Sequence, residues 1–329
     1  MNMRPAIFAL VLCFFVSAEL HAEWLHDSAE LMGTKVSVEL WAEDAAVGQQ
    51  AIEKVLAEIE RLDLMMNPWN PASELSRINL EADRGAVTTT PEIVEVIERA
   101  LYYSRISDGA FDVSFASVGQ HYDYRKEQSP NVEQLKEGRA GIDYRAIELD
   151  VSSRTISFAI PGLQIDLGGI AKGYAVDRGI SILQDSGIQA AVIMAGGDTR
   201  ILGDLGDRPR TIGIRHPRKK NEFAVMIPLQ DTAISTSGDY ERFFIRDGIR
   251  FHHILDPDTG SSSRGVQSAS VLAPRAIDSD ALSTTTFVLG VERGLALINS
   301  LSGVDAIVID GQGKLHYSQD LLLETSTKQ

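Results

Sequence analysis

The sequence predicts an α+β fold built on a mainly antiparallel sheet system, and three observations lead there. Helical and strand periodicities are interleaved along the chain, so neither class of element stands alone. Most strand signals come in pairs around short turns, which favours hairpins over crossovers. With 329 residues and 44% hydrophobic content, the chain can bury a large core.

Taken in order, residues 29–41 alternate around Met32-Gly33-Thr34 and predict a strand pair or a bent strand. Residues 45–65 place Ile52, Val55, Leu56, Ile59 and Leu62 on one helical face. A loop with Asn67, Pro68, Asn70 and Pro71 surrounds Trp69, and residues 73–79 predict a short helical turn. Thr90 with Pro91 predicts a capped helix running to about residue 107. The turn Asp108-Gly109-Ala110-Phe111-Asp112 follows, and residues 119–144 are polar with no clear period. Residues 155–160 and 163–167 predict a hairpin around Pro161-Gly162. A helix then carries Val176, Ile180 and Leu183 until Gly187 stops it. Residues 189–194 predict a buried strand ending at Gly196-Gly197-Asp198, with further strands at 211–215, 223–229 and 267–272. A helix from about 278 to 289 stops at Gly290, a second spans 292–301, and a hairpin at 306–310 and 314–318 leads into a frayed tail.

The N-terminus differs from the rest. Arg4 precedes the apolar run 6–18 and then Glu19-Leu20-His21-Ala22. A basic start, a short apolar stretch and a small residue before the cut predict a secretory signal cleaved after Ala22, with Val16-Ser17-Ala18 as a second cleavage site. The run is short for a membrane anchor. Leu12, not a small residue, precedes Cys13, which argues against lipidation, so a soluble exported protein is expected. Cys13 is the chain's single cysteine, so the mature protein would hold no disulfide, thiolate metal site or cysteine nucleophile. A net charge of −15 disfavours general binding to nucleic acid or anionic membranes. An anionic ligand would need a local device, such as a metal cation or a helix N-terminus.

Such a device is suggested at residues 165–175, which read as a strand end, a glycine turn and a helix start. Gly168 and Gly169 leave the backbone open to close approach. The helix start directs free N–H groups and positive dipole to the same place, and Lys172 adds a cation. The pattern is neither a Walker loop nor G-x-G-x-x-G, and a tight turn with a surface lysine accounts for it equally well. Asp280 and Thr284, four apart on one helical face, offer hard oxygen donors suited to Mg²⁺ or Ca²⁺. A first-turn carboxylate answering the helix dipole is the commoner role for such an Asp. His252 and His253 lie on opposite faces of a strand, so one of them can face a site, and His253 is the favoured one. Trp69, Phe111 and Met32 could stack on a planar ring, although a small hydrophobic cluster explains each singly.

Taken together these stretches resemble the FAD:protein FMN transferases, the ApbE family. The resemblance rests on Met32-Gly33-Thr34, residues 73–79 (SELSRIN), Gly109-Ala110-Phe111-Asp112, residues 165–175, Gly196-Gly197-Asp198, residues 236–242 (TSGDYER), His253-Ile254-Leu255-Asp256-Pro257 with Thr259-Gly260, and residues 280–284 (DALST), all in the family's order. It implies a single domain at 23–329 with a T-fold-like core. It also implies Mg²⁺-dependent cleavage of FAD, attachment of FMN through its phosphate to a Thr or Ser hydroxyl of an acceptor protein, and release of AMP. Gly169 (through its carbonyl), Asp280 and Thr284 match the metal ligands. Met32, Trp69, Ala110, Phe111, Asp112, Asp166, Lys172, His253 and Leu255 match FAD-contacting positions, and His253 or Asp280 would serve as the base. Acceptor subunits of membrane redox complexes outside the cytoplasm, in the periplasm, are the implied partners. The chain departs from the pattern at Asn67-Pro68-Trp69 and at 113–122, beside the expected ring pocket. Two other readings are an Mg²⁺-dependent FAD pyrophosphatase and an exported flavin-binding protein without turnover.

Overall fold

The computed structural model describes residues 22–203 and 210–326. The expected leader lies outside these residues except for Ala22.

Strands β1 (Glu23–Leu31) and β2 (Thr34–Ala42) form one hairpin, closed by Met32 and Gly33 at φ 52° and 69°. Positive φ at both turn positions matches the twist of the flanking strands. Gly33 takes that conformation without strain; Met32 does not, and it is held by its N–H donating to Asp63 Oδ2 at 2.7 Å. Helix α1 (Ala45–Met66) follows, capped by Asp44, with Ile52, Val55, Ile59 and Leu62 fully buried. Next come α2 (Glu74–Glu81), the short β3 (Val87–Thr88) and α3 (Pro91–Ile106). Thr90 makes no side-chain cap on α3, contrary to expectation: its hydroxyl donates to Glu74 Oε2 instead.

The polar stretch contains α4 (Ala116–Gly119) and α5 (Val132–Ala140), the latter opened by a reciprocal cap between Asn131 and Gln134. Strands β4 (Ile147–Asp150) and β5 (Thr155–Phe158) pair with each other, and β5 also pairs with β3. The expected hairpin around Pro161-Gly162 is therefore absent. Residues 163–167 pair with no strand among the described residues, because other groups satisfy their backbone. Asn79 donates to and accepts from the Ile165 peptide at 2.9 and 2.8 Å, and Asp166 N–H donates to Val113 O at 2.9 Å.

Helix α6 (Ala171–Asp185) leads to β6 (Ala191–Ala195), β7 (Asp198–Leu202), the ribbon β8 (Arg210–Arg215) with β9 (Phe223–Leu229), and β10 (Ala233–Gly238). Two small pairs follow, β11 (Phe243–Arg246) with β12 (Ile249–His252) and β13 (Leu255–Asp256) with β14 (Ser261–Ser262). The chain continues through β15 (Val266–Ala273), α7 (Ala276–Asn299), β16 (Asp305–Asp310) and β17 (Leu315–Tyr317) to α8 (Gln319–Ser326). The two expected late helices are both present within α7, separated at Gly290, whose φ of 79° breaks the helical path as expected. The tail begins as a helix rather than fraying at once.

One sheet of eight strands, in the order β1-β2-β6-β7-β10-β15-β16-β17, organises all of this, and every pairing in it is antiparallel. Strand alternation sorts its residues to two faces. Val36, Val38, Leu40, Ile193 and Val271 face α1, α6 and α7 in the main core. Val192, Ile201, Ile234, Leu272 and Ile307 face the other way, where Ile214 and Leu229 of the β8–β9 ribbon cover them. The site lies at one end of the first layer, where α6 and α7 begin.

Candidate active site

Helices α6 and α7 cap one another. Neither has a side-chain cap of its own, since Ile170 and Arg275 stand at the N-cap positions. Orphan N–H groups at a helix start need acceptors. Asp280, in the second turn of α7, accepts the Gly173 N–H of α6 at 3.0 Å. Asp177, in the second turn of α6, accepts the Ala276 and Ile277 N–H groups of α7 at 2.8 and 3.0 Å. The close crossing depends on Gly173: a Cβ there would lie 2.2 Å from the Ala276 carbonyl oxygen. Two positive helix ends thus converge on one spot, which favours anions. Asp177→Ala is expected to cost about 1–2 kcal/mol, the range of a lost N-cap. Urea denaturation measures it, and a change near zero would remove the capping argument.

Between the two helix starts sits Lys172. Its Nζ lies 2.7 Å from Asp198 Oδ2 and 3.2 Å from each Asp280 oxygen. The two carboxylates hold Lys172 firmly protonated against the opposing effect of burial. Burial first, and the like charge of Asp198 second, push Asp280 above the ordinary carboxylate range. Asp198 ends the Gly196-Gly197-Asp198 turn and is buried in β7.

A seam of hydroxyls joins β10 to α7. Ser235 bonds Ser279 at 2.8 Å, and Ser237 bonds Ser283 at 2.9 Å and Thr284 Oγ1 at 3.1 Å. Gly169 backs onto this seam: a Cβ on it would lie 3.5 Å from Thr284 Oγ1 and 3.2 Å from the Phe111 ring. The structure therefore brings Gly169, Thr284, Asp280, Lys172 and Phe111 into one place. Asp166 is adjacent in the chain; its Oδ1 accepts the Gly168 N–H at 2.6 Å, and burial raises its pKa.

The two histidines separate, but not as neighbours on one strand: β12 ends at His252 and His253 lies just past it. His252 is buried, with Nε2 2.8 Å from Ser263 O and Nδ1 accepting from Ile254 N–H at 3.3 Å. His253 Nδ1 is buried without a partner. Burial, then the Arg242 guanidinium, push the His253 imidazole down to about 3, so it is neutral at physiological pH. The unfolded chain takes up a proton on this residue below about 6.5, whereas the native state does not. This contribution to stability is thus present above 6.5 and is lost as pH falls toward 3. His253→Gln should flatten the acid side of the stability curve, with about 1–2 kcal/mol less lost between roughly pH 7.5 and 5. Parallel melts at the two pH values test this, and equal losses in both proteins would refute it.

The remaining expected residues lie around this centre in different ways. Met32 is half-buried on the β1–β2 turn, and the Arg242 guanidinium reaches the neighbouring Gly33 carbonyl at 3.4 Å. Ala110 is half-buried beside Phe111. Both oxygens of Asp112 are already engaged, Oδ1 by the Ser114 N–H and hydroxyl and Oδ2 by the Tyr144 N–H at 2.9 Å. That carboxylate shapes its own loop. Leu255 packs into a cluster with Val118 and Tyr122. Trp69 is 69% exposed on a loop set by Asn67 and Asn70. Sequence reasoning gave no role to Asp198, Arg242, Asp177 or Gly173. Asp198, Arg242 and Gly173 sat inside stretches noted as motifs, which was the available signal.

Residues 32–308 match the model of the ApbE family. Among curated relatives, the FAD:protein FMN transferase of Treponema pallidum is 33% identical over 304 residues, covering 86% of this chain and 84% of that protein. The protein of the same name from Vibrio cholerae is 32% identical over 309 residues, covering 90% of each. Among solved structures, the ApbE protein of Thermotoga maritima superposes with a TM-score of 0.84 at 30% identity, over 92% of this chain and 99% of that one. The flavin transferase ApbE from Vibrio cholerae gives 0.83 at 28% identity, with the same coverage. The mixed fold with its antiparallel sheet is shared with these structures, the family pattern runs from the Met32 turn into the last long core strand, and the chain belongs to the ApbE family.

Proposed function

We propose that this protein is a flavin transferase that cleaves FAD and attaches FMN through a phosphoester to a Thr or Ser of an acceptor protein, releasing AMP with the help of Mg²⁺. The names of the curated relatives support the flavin transfer. The observation that carries the finer reading is the convergence of two helix N-termini on Lys172, beside Gly169, Asp280 and Thr284. Such a place suits a diphosphate bridge.

Among the described residues, no group of three or more His, Cys, Asp or Glu is arranged to hold a metal. A cation here would rely on the Gly169 carbonyl, the Asp280 carboxylate and the Thr284 hydroxyl. Thr284 Oγ1 lies 3.5 Å from where a Gly169 Cβ would stand, and Asp280 is one turn before Thr284 on α7; these hard oxygens fit Mg²⁺ better than zinc. When bound, Mg²⁺ supplies charge neutralisation at the diphosphate and eases departure of AMP. Lys172 and the two helix starts bind and orient the diphosphate. Phe111, buried beside Gly169, would back the site, and half-buried Met32 on the β1–β2 turn would offer apolar surface to the flavin rings. Of the two candidate bases, Asp280 already accepts from Lys172 and the Gly173 N–H. His253 Nδ1 is buried without a hydrogen-bond partner, so of the two it is the one with an open acceptor position for the hydrogen bond of the attacking hydroxyl.

We further propose that a single catalytic domain, 23–329, acts in the periplasm after removal of the 1–22 leader, on flavoprotein subunits of membrane redox complexes. The test is the mass of a purified acceptor domain incubated with the protein, FAD and Mg²⁺. Covalent FMN on the acceptor is expected. An unmodified acceptor with free FMN and AMP would instead indicate a pyrophosphatase, and intact FAD a binding protein.

A further inference from the structure

We propose that Lys172 is a tethered counter-ion for Asp280, competing with a divalent cation for that carboxylate, and that Asp198 sets the strength of the competition by giving the ammonium a second seat. The inference rests on the cation site proposed above and adds a role for a residue that site does not include.

The argument begins with burial. Asp198 is 2% exposed and Asp280 3%, and one ammonium lies between them, 2.7 Å from the first and 3.2 Å from the oxygens of the second. Two buried carboxylates this close to one ammonium share it as their counter-charge. Asp198 cannot follow the ammonium if it moves. Its backbone is paired with Ala195 of β6 and Ser235 of β10. The preceding Gly197 presses on the next strand, where a Cβ would lie 2.8 Å from Thr236 O. Lys172, by contrast, is a point charge on a four-carbon stem with rotatable donors.

The consequence is a handover. When Asp280 turns its oxygens to a cation, the ammonium keeps Asp198 as its counter-charge and stays in the site. It is then free on its other side to meet a phosphate. Without Asp198 the ammonium has Asp280 as its remaining anionic partner here, and the cation must displace it fully. Without Lys172 the two carboxylates stand unneutralised, and a cation is what relieves them.

The test is Mn²⁺ binding to the full mature chain without FAD, followed by electron paramagnetic resonance or calorimetry. Lys172→Met should bind Mn²⁺ about tenfold more tightly than wild type, and Asp198→Asn about tenfold more weakly, each change equivalent to about 1.4 kcal/mol. The double variant should fall between them. Circular dichroism confirms folding, and Asp198→Asn gives an independent arm should Lys172→Met not fold. If Asp280→Asn binds Mn²⁺ as wild type does, the cation site itself is misplaced and this inference goes with it. If Asp280→Asn abolishes binding but Lys172→Met binds no more tightly than wild type, the counter-ion role alone is overturned. Undiminished affinity in Asp198→Asn would likewise remove the part given to Asp198.

Discussion

Gly173→Ala is expected to destabilise the protein by about 3 kcal/mol or more, the upper range for an overpacked core position. The added methyl would meet backbone: 2.2 Å to the Ala276 carbonyl oxygen, 2.6 Å to its carbon and 2.7 Å to the Ile277 Cα. No rotamer change relieves a clash with main chain, so α6 and α7 must separate. Separation also lengthens the Gly173 N–H bond to Asp280 and pulls Asp177 from the start of α7. The melting temperature should drop by roughly 5–10 °C, and Mn²⁺ affinity should fall with it. Calorimetry on the purified variant decides the matter. A melting temperature within about 1 °C of wild type would mean that the helix crossing is not as tight as described.

Asp280→Asn should lower flavin transfer by about a thousandfold while leaving the fold in place. The carboxylate has three tasks: it balances Lys172, caps α6 and supplies the charged donor to the proposed cation. An Asn oxygen still accepts the Gly173 N–H, and Lys172 keeps Asp198 at 2.7 Å. The stability change is therefore small, under about 2 kcal/mol, whereas an electrostatic contribution at a reacting phosphate is commonly worth that activity loss. Single-turnover transfer to an acceptor domain, compared with a thermal melt, separates the two effects. Wild-type transfer rates in Asp280→Asn would remove this residue from the chemistry. A large loss of stability would make its role architectural.

The sequence made the sheet and its covering helices readable because their periods are strong. The alternation of β2 and the Ile52-Val55-Ile59-Leu62 face of α1 appear as expected. It misled at 163–167, where alternate burial of Leu163, Ile165 and Leu167 copies a strand. The copy arises because Asn79 and Val113, far away in the chain, meet backbone groups that a neighbouring strand would normally meet. The same limit applies at the site. Asp280, Thr284, Gly169 and Lys172 were suggested by local spacing. Asp198 sat in the noted Gly196-Gly197-Asp198 stretch, but its pairing with Lys172, 26 residues earlier, emerged only when folding carried β7 against α6. The reciprocal capping by Asp177 and Asp280 was hidden for a like reason. Each cap lies about a hundred residues from the helix it completes.

That mutual capping has a consequence for how the molecule reports on itself. The Gly173 amide hydrogen points to a side chain of another helix rather than to its own helical ladder. Its exchange with deuterated solvent therefore clocks the parting of two long helices, not the fraying of one. A slow signal at this single position would mark a catalytic centre already assembled before any substrate arrives, and ligands that tighten the pair would slow it further.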